Sequence, residues 1–185
     1  MFPERFKEAI RKKHYYFFGN VIDTDGFDWY AFMRLLYTHP QQAIAFADDA
    51  RRIELRRLQD RGRAPDFAKK LNKDLKDLFK QNLVSNIAFC GPDLHHRSFK
   101  IHRDTMDVIY LQVLGSIEWS IWNSDCGLDS FSFPEQEATL ITKLKMVPGD
   151  MIYVPRGMYH HVSPLSSRVG FSFGVEGKPD PSTYI

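Results

Sequence analysis

Asp107-Val108-Ile109-Tyr110-Leu111-Gln112-Val113-Leu114, then Gly115, then Ser116-Ile117-Glu118-Trp119-Ser120-Ile121-Trp122, is the stretch that decides the fold. Ile117, Trp119 and Ile121 alternate with Ser116, Glu118 and Ser120, the period of two that gives a strand two distinct faces. The run before it is apolar and β-branched, and Gly115 supplies a tight connection, so the pair predicts two strands. Upstream, Val84 to Phe89 predicts a strand closed by Gly91-Pro92. Downstream, Ala138 to Val147 predicts another, and Pro148-Gly149-Asp150 turns the chain into Met151-Ile152-Tyr153-Val154. Phe171 to Val175 alternates again. Seven or eight short strands of this kind predict a mainly β protein, a small sandwich or jelly-roll barrel.

The chain before these strands has a different character. Phe6 and Ile10 suit a short opening helix, and Tyr15-Tyr16-Phe17-Phe18 reads as a strand-like aromatic run. Trp29, Phe32, Met33 and Leu36 recur at helical spacing until Pro40 stops them. Gln42 to Gln59 is rich in good helix formers and predicts a helix. Asp66 suits the N-cap of a further helix with an apolar stripe of Phe67, Leu71, Leu75, Leu78 and Phe79. The lysines around that stripe are interrupted by Asp66, Asp74 and Asp77, which favours a solvated face over a nucleic-acid face. The expected organisation is one domain over 1–185, with a mostly helical lead-in over 1–83 and a β core over 84–177.

Composition narrows the function classes. A net charge of +2 on 185 residues gives no strong field for nucleic acid or a membrane surface. No run approaches the roughly 18 apolar residues of a spanning helix, and the N-terminus lacks a signal-peptide apolar core. Cys90 and Cys126 form neither a metal spacing nor a disulfide framework. The expected setting is therefore the cytoplasm.

Chemistry concentrates in His102-Arg103-Asp104 and in His160, the last residue of Pro155-Arg156-Gly157-Met158-Tyr159-His160. Two imidazoles and one carboxylate can hold a non-haem Fe(II) on one face and leave positions open for substrate and oxygen. On a strand His102 and Asp104 point to one side and Arg103 to the other. The turn at Gly157 favours His160 over its neighbour His161 as third ligand. His95 and His96 fall in a loop, and His14 and His39 have no partner pattern. The same donors also accept Zn, Mn or Ni.

Taken in order, His102-Arg103-Asp104-Thr105-Met106-Asp107-Val108, Leu111-Gln112-Val113-Leu114-Gly115, Glu118-Trp119 and Val147 to Gly157 leading to His160 resemble a JmjC-type member of the cupin superfamily, the Fe(II)- and 2-oxoglutarate-dependent oxygenases. The resemblance covers roughly Ser85 to Val175. It implies a double-stranded β-helix with Fe(II) on His102, Asp104 and His160, and 2-oxoglutarate and O2 as co-substrates. It further implies oxidation, by hydroxylation, of a small molecule, amino acid or peptidyl side chain. One position departs from the pattern: Ile117 stands where the family places a cation for the far carboxylate of 2-oxoglutarate. Arg168 is the leading replacement, with Asn86 also assigned to the co-substrate and Lys100, Lys143 and Lys145 behind them. Tyr110, Gln112, Trp119 and Tyr153 are candidate pocket residues. Two other readings keep the scaffold: an iron oxygenase acting directly on a chelating substrate, and a metal-dependent isomerase or hydrolase. A non-catalytic binding jelly roll is the rival from outside enzymology. A homodimer through the lead-in is a possible assembly.

Overall fold

The computed structural model describes residues 2–38, 44–46, 53–56, 58, 64–80, 83–91, 99–123 and 138–175, with the side chains of 44–46 and 83–87 left aside. His39, His95, His96 and Cys126, together with the Asn86 side chain, lie outside the described residues. The described elements run α1 (Glu4–Lys12), β1 (Tyr16–Phe18), α2 (Trp29–Thr38), β2 (Ile44–Phe46), β3 (Ile53–Arg56), α3 (Asp66–Phe79), β4 (Leu83–Gly91), β5 (Asp107–Leu114), β6 (Ile117–Trp122), β7 (Leu140–Met146), β8 (Met151–Val154), β9 (His160–Pro164) and β10 (Arg168–Val175).

The strands form a seven-stranded antiparallel sheet, β1-β8-β5-β10-β4-β3-β2, and a three-stranded one, β7-β6-β9. From β5 onward the chain crosses to the small sheet for β6 and β7, returns for β8, crosses again for β9 and returns for β10, a jelly-roll plan. The large sheet is buried on both sides, so β5 and β10 lack a solvent face. On one side Ile109, Leu111, Val113, Val169, Phe171 and Phe173 pack with Phe6 and Ile10 of α1 and Leu71, Leu75 and Phe79 of α3. On the other, Val108, Tyr110, Ile152 and Val154 meet Ile117, Trp119, Ile121 and Val162 of the small sheet. Gly115, at φ +69, makes the tight connection between β5 and β6, and a Cβ there would collide with the Ser167 carbonyl.

Two local expectations are corrected. The segment 42–59, read as helix, contains β2 and β3 instead. Ile53-Glu54-Leu55-Arg56 pairs with Cys90, Phe89, Ala88 and Ile87 of β4, burying Leu55 completely against the helices. Pairing to an open sheet edge outweighs helix propensity, which is a weak prior. Asp66 is the first helical residue of α3 rather than its cap. Pro65 occupies the N-cap with φ −56 and no side-chain hydrogen bond, and Asp66 pairs with Lys69 at 3.1 Å. The lysines at 69, 70, 73 and 80 are exposed beside exposed Asp74 and Asp77, as a solvated face requires.

Candidate metal centre and cavity

The segment carrying His102 and Asp104 is not a full strand. His102 forms one isolated bridge with His160, its N–H donating to the His160 carbonyl at 3.1 Å and the reverse bond measuring 2.8 Å. Strand β5 begins only at Asp107. Asp104 is instead fixed by its carbonyl, which accepts from Gly157 N at 2.9 Å. Gly157 has φ +79, the left-handed conformation that a turn returning His160 to the site demands. Asp107, which the sequence reading did not single out, closes the frame. Its carboxylate accepts from Arg156 N at 2.8 Å and from the Tyr153 hydroxyl at 3.2 Å.

These contacts bring His102, Asp104 and His160 together, with one ligand atom from each lying within 4.8 Å of the others. Asp104 stands 3.9 Å from His102 Nε2 and 3.5 Å from His160 Nε2. Each histidine has its Nδ1 against a backbone carbonyl, Lys100 at 2.8 Å and Met158 at 3.0 Å. A carbonyl can only accept, so both Nδ1 atoms carry the proton and both Nε2 lone pairs face the carboxylate. That tautomer is the one a metal needs, with the carbonyls orienting the rings from behind. Burial, aided by the nearby His102, pushes His160 down to about 3, so its imidazole is neutral at physiological pH. Burial pushes Asp104 up, against the pull of His102. A divalent cation would reverse that penalty, and the donor set fits one. Trp119 packs on His160 with ring centroids 5.2 Å apart, and its buried Nε1 has no hydrogen-bond partner among the described residues. His161 is not part of the cluster; its Nδ1 sits 3.3 Å from Ser163 Oγ. His14 is exposed.

The triad opens on a cavity of about 350 Å³ between the two sheets, at the small end of the range for ligand sites. Arg168 lines it and is only 5% exposed, close enough to influence Tyr110 and Cys90. Tyr110 and Trp119 also line it. Burial raises the Tyr110 hydroxyl far above its ordinary range, and it donates to Gln112 Oε1 at 3.1 Å. Gly170 makes room for this ring, because a Cβ there would overlap the Tyr110 hydroxyl. Two expected pocket residues are elsewhere. Gln112 lies behind Tyr110, donating to the Leu114 carbonyl at 2.6 Å, and Tyr153 belongs to the helix-side core.

Ile117 is fully buried in the small-sheet core, in register with Met146 and Pro164. No cation can come from that position. Lys143 and Lys145 are exposed, the former 3.6 Å from Glu118, and Lys100 is exposed and contributes its carbonyl to His102. Asn86 is in backbone register with Phe173. Residues missed from the sequence are Glu54 and Arg56, which reach the cavity from β3. The alternation of Ile53 and Leu55 with Glu54 and Arg56 was the available signal.

A jelly roll with two histidines and one carboxylate on the wall of its inter-sheet cavity has the scaffold and donor set of a cupin-type metal site. The chain belongs to the JmjC domain family, whose model matches residues 65–181. No curated protein matches it. It is similar in structure to YcfD, a ribosomal oxygenase from Escherichia coli solved in complex with cobalt and 2-oxoglutarate. There the TM-score is 0.63 and the identity 14%, covering 93% of this chain and 51% of that one. It is also similar to SnoK, a non-heme alpha ketoglutarate dependent carbocyclase from nogalamycin biosynthesis. That match has a TM-score of 0.65 and 9% identity, covering 94% of this chain and 84% of that one. The chain thus spans about half the length of YcfD, and at these identities the likeness is one of fold. Among the described residues no helix is long and apolar enough to cross a membrane.

Proposed function

We propose that this chain is a mononuclear non-haem Fe(II) oxygenase that uses 2-oxoglutarate and O2 to hydroxylate a small molecule, amino acid or peptidyl side chain. The observation that carries the reading is the shared cavity: His102, Asp104 and His160 at one place on its wall and the buried guanidinium of Arg168 at another. His102, Asp104 and His160 would hold the metal, which supplies the oxygen-activating redox chemistry when bound. The protein's own part is positioning. The carbonyls of Lys100 and Met158 keep both Nε2 lone pairs aimed at one point. Arg168 supplies the charge that Ile117 lacks and would anchor the far carboxylate of the co-substrate from the large sheet, where a bidentate guanidinium suits a carboxylate. Tyr110 keeps its proton, which goes to Gln112, so its oxygen offers lone pairs to the cavity side. The apolar walls, among them Val108 and Val162, exclude water and strengthen every charge interaction inside.

Arg168→Gln tests this directly. Truncating a buried charge partner costs roughly 2–4 kcal/mol, so the KM for 2-oxoglutarate should rise about a hundredfold while Fe(II) content is unchanged. His160→Ala should instead abolish stoichiometric iron. Succinate formation and O2 uptake are the readouts. Turnover that persists without oxygen would sink the oxygenase reading, and an unchanged KM in Arg168→Gln would remove 2-oxoglutarate from it.

A further inference from the structure

One layer below the triad, the cavity wall holds a polar group without a partner. In the small sheet Ile121 lies opposite His160, and Trp119 lies opposite Val162, two residues further along β9. Two strand residues span about 6.7 Å. Tyr110 of the large sheet belongs to the same layer, its ring 5.4 Å from that of Trp119, and both side chains line the cavity. Trp119 is 3% exposed, and its Nε1 has no hydrogen-bond partner among the described residues. A buried donor left unpaired has lost its bonds to water and gained none, and native proteins keep few of them. The cluster around this ring includes Ile117, Ile121, Met146 and Val162, whose side chains offer no oxygen to accept from it. An acceptor can instead arrive with whatever occupies the cavity.

We propose that Trp119 is a co-substrate-binding residue whose indole N–H donates to the far carboxylate of 2-oxoglutarate. The inference rests on the co-substrate reading above and adds to it a neutral donor from β6, the strand on which Ile117 brings no charge. A carboxylate has about four lone-pair sites, and a bidentate guanidinium fills two of them. In a buried place the others need donors as well. Tyr110 brings none, because its hydroxyl donates to Gln112 Oε1 at 3.1 Å. Gln112 is locked in that orientation by its Nε2, which donates to the carbonyls of Leu114 at 2.6 Å and Gly115 at 3.3 Å. Trp119 suits the task. An indole can only donate, and its ring stands between the two ends of the site, 5.2 Å from the ring of His160 on one side and beside Tyr110 on the other. A five-carbon diacid with its keto-acid end at the triad would bring its far carboxylate down to this layer.

The test uses the full chain loaded with Zn(II), a diamagnetic ion that the same donors accept. The probes are 2-oxoglutarate and 2-oxopentanoate, equal in carbon number, of which the second lacks the far carboxylate. Calorimetry on the unmodified chain first establishes binding of each. With isotope-labelled tryptophan the chain gives three indole N–H signals in nuclear magnetic resonance, one for each of its three tryptophans. The Trp119 signal, identified by its absence from Trp119→Phe, should move downfield with 2-oxoglutarate and stay in place with 2-oxopentanoate. Replacing Trp119 by 3-benzothienylalanine, in which sulfur stands for the N–H in a ring of the same shape, should weaken 2-oxoglutarate about tenfold and leave 2-oxopentanoate unchanged. Bound 2-oxoglutarate that leaves the signal unmoved, the same shift with both acids, or equal weakening of both acids overturns the proposal. Should a replaced chain fail to fold, the signal is assigned through its contacts with Tyr110, and its shift in the unmodified chain decides. Absence of 2-oxoglutarate binding to the unmodified chain removes the co-substrate reading and this proposal together, whereas binding without the Trp119 response removes the proposal alone.

Discussion

The two faces of the large sheet are built from the same strands and do opposite work. On the helix side, alternate residues of β5 and β10 are Ile109, Leu111, Val113, Val169, Phe171 and Phe173, all apolar and all essentially buried. On the cavity side the intervening positions include Tyr110, Gln112, Arg168, Gly170 and Ser172. These too are buried, and all but Gly170 carry hydroxyl, amide or guanidinium groups. Burial alone therefore does not distinguish core from site here. A buried apolar residue stabilises by leaving water, whereas a buried polar one is tolerated only if partnered by protein or ligand. The helix face supplies the stability that the cavity face expends.

The largest test moves the family's usual charge back to the small sheet. Ile117→Lys would place an ammonium in the apolar cluster of Met146, Trp119 and Ile152. Burying an unpaired charge ranks with the most destabilising single changes, so a loss of about 4 kcal/mol is expected in denaturant unfolding. On the proposed reading, in which Arg168 carries the anchoring charge, adding 2-oxoglutarate should not recover it. Recovery of stability on adding the co-substrate would show that the two faces have been assigned the wrong roles.

A paired substitution on one strand compares the faces directly. Phe171→Ala removes a fully buried ring on the helix side and should cost roughly 3–4 kcal/mol. Ser172→Ala, its neighbour on the cavity side, should stay within about 1 kcal/mol. If Ser172→Ala proved as costly as Phe171→Ala, the cavity face would be ordinary core.

How much of this was legible in the sequence follows the same division. Ile117/Trp119/Ile121 announced β6 because one of its faces is more exposed than the other. Pro155 to His160 announced the ligand turn because Gly157 needs a left-handed backbone. β3 was hidden: Ile53 to Arg56 is too short for its period to outweigh the surrounding helix formers, and its partner β4 lies some thirty residues away. Only that pairing brings Glu54 and Arg56 to the cavity. Tyr153 misled in the other direction. Its strand β8 has four buried residues in a row, so periodicity gave no sign that Tyr153 faces the helices while Ile152 and Val154 face the small sheet. Asp107 was passed over because its role depends on Arg156 and Tyr153, which only the fold brings near. Arg168 had no pattern of its own in the sequence and came forward only as a substitute for the charge missing at Ile117; the fold places it in the cavity wall.

The smallest effect is a pH dependence that belongs to the cavity face alone. His160 is held near 3 by burial in the metal-free protein, against an ordinary value of 6.5. Between those values the unfolded chain binds a proton at this residue and the folded one does not, so acidification favours unfolding. Going from pH 7 to pH 5 should therefore cost the metal-free protein about 2 kcal/mol through His160. Asp104 acts with the opposite sign. Its raised value means the folded state holds a proton that the unfolded state releases above 3.8, which favours folding as pH falls toward that range and trims the loss. His160→Asn removes the first contribution and leaves the second, so its stability should be flatter between pH 7 and pH 5 than wild type. Guanidinium unfolding of both proteins at the two pH values measures the difference. Equal slopes would mean that His160 is not held neutral by its surroundings, and the cavity would then be wetter than its apolar walls imply.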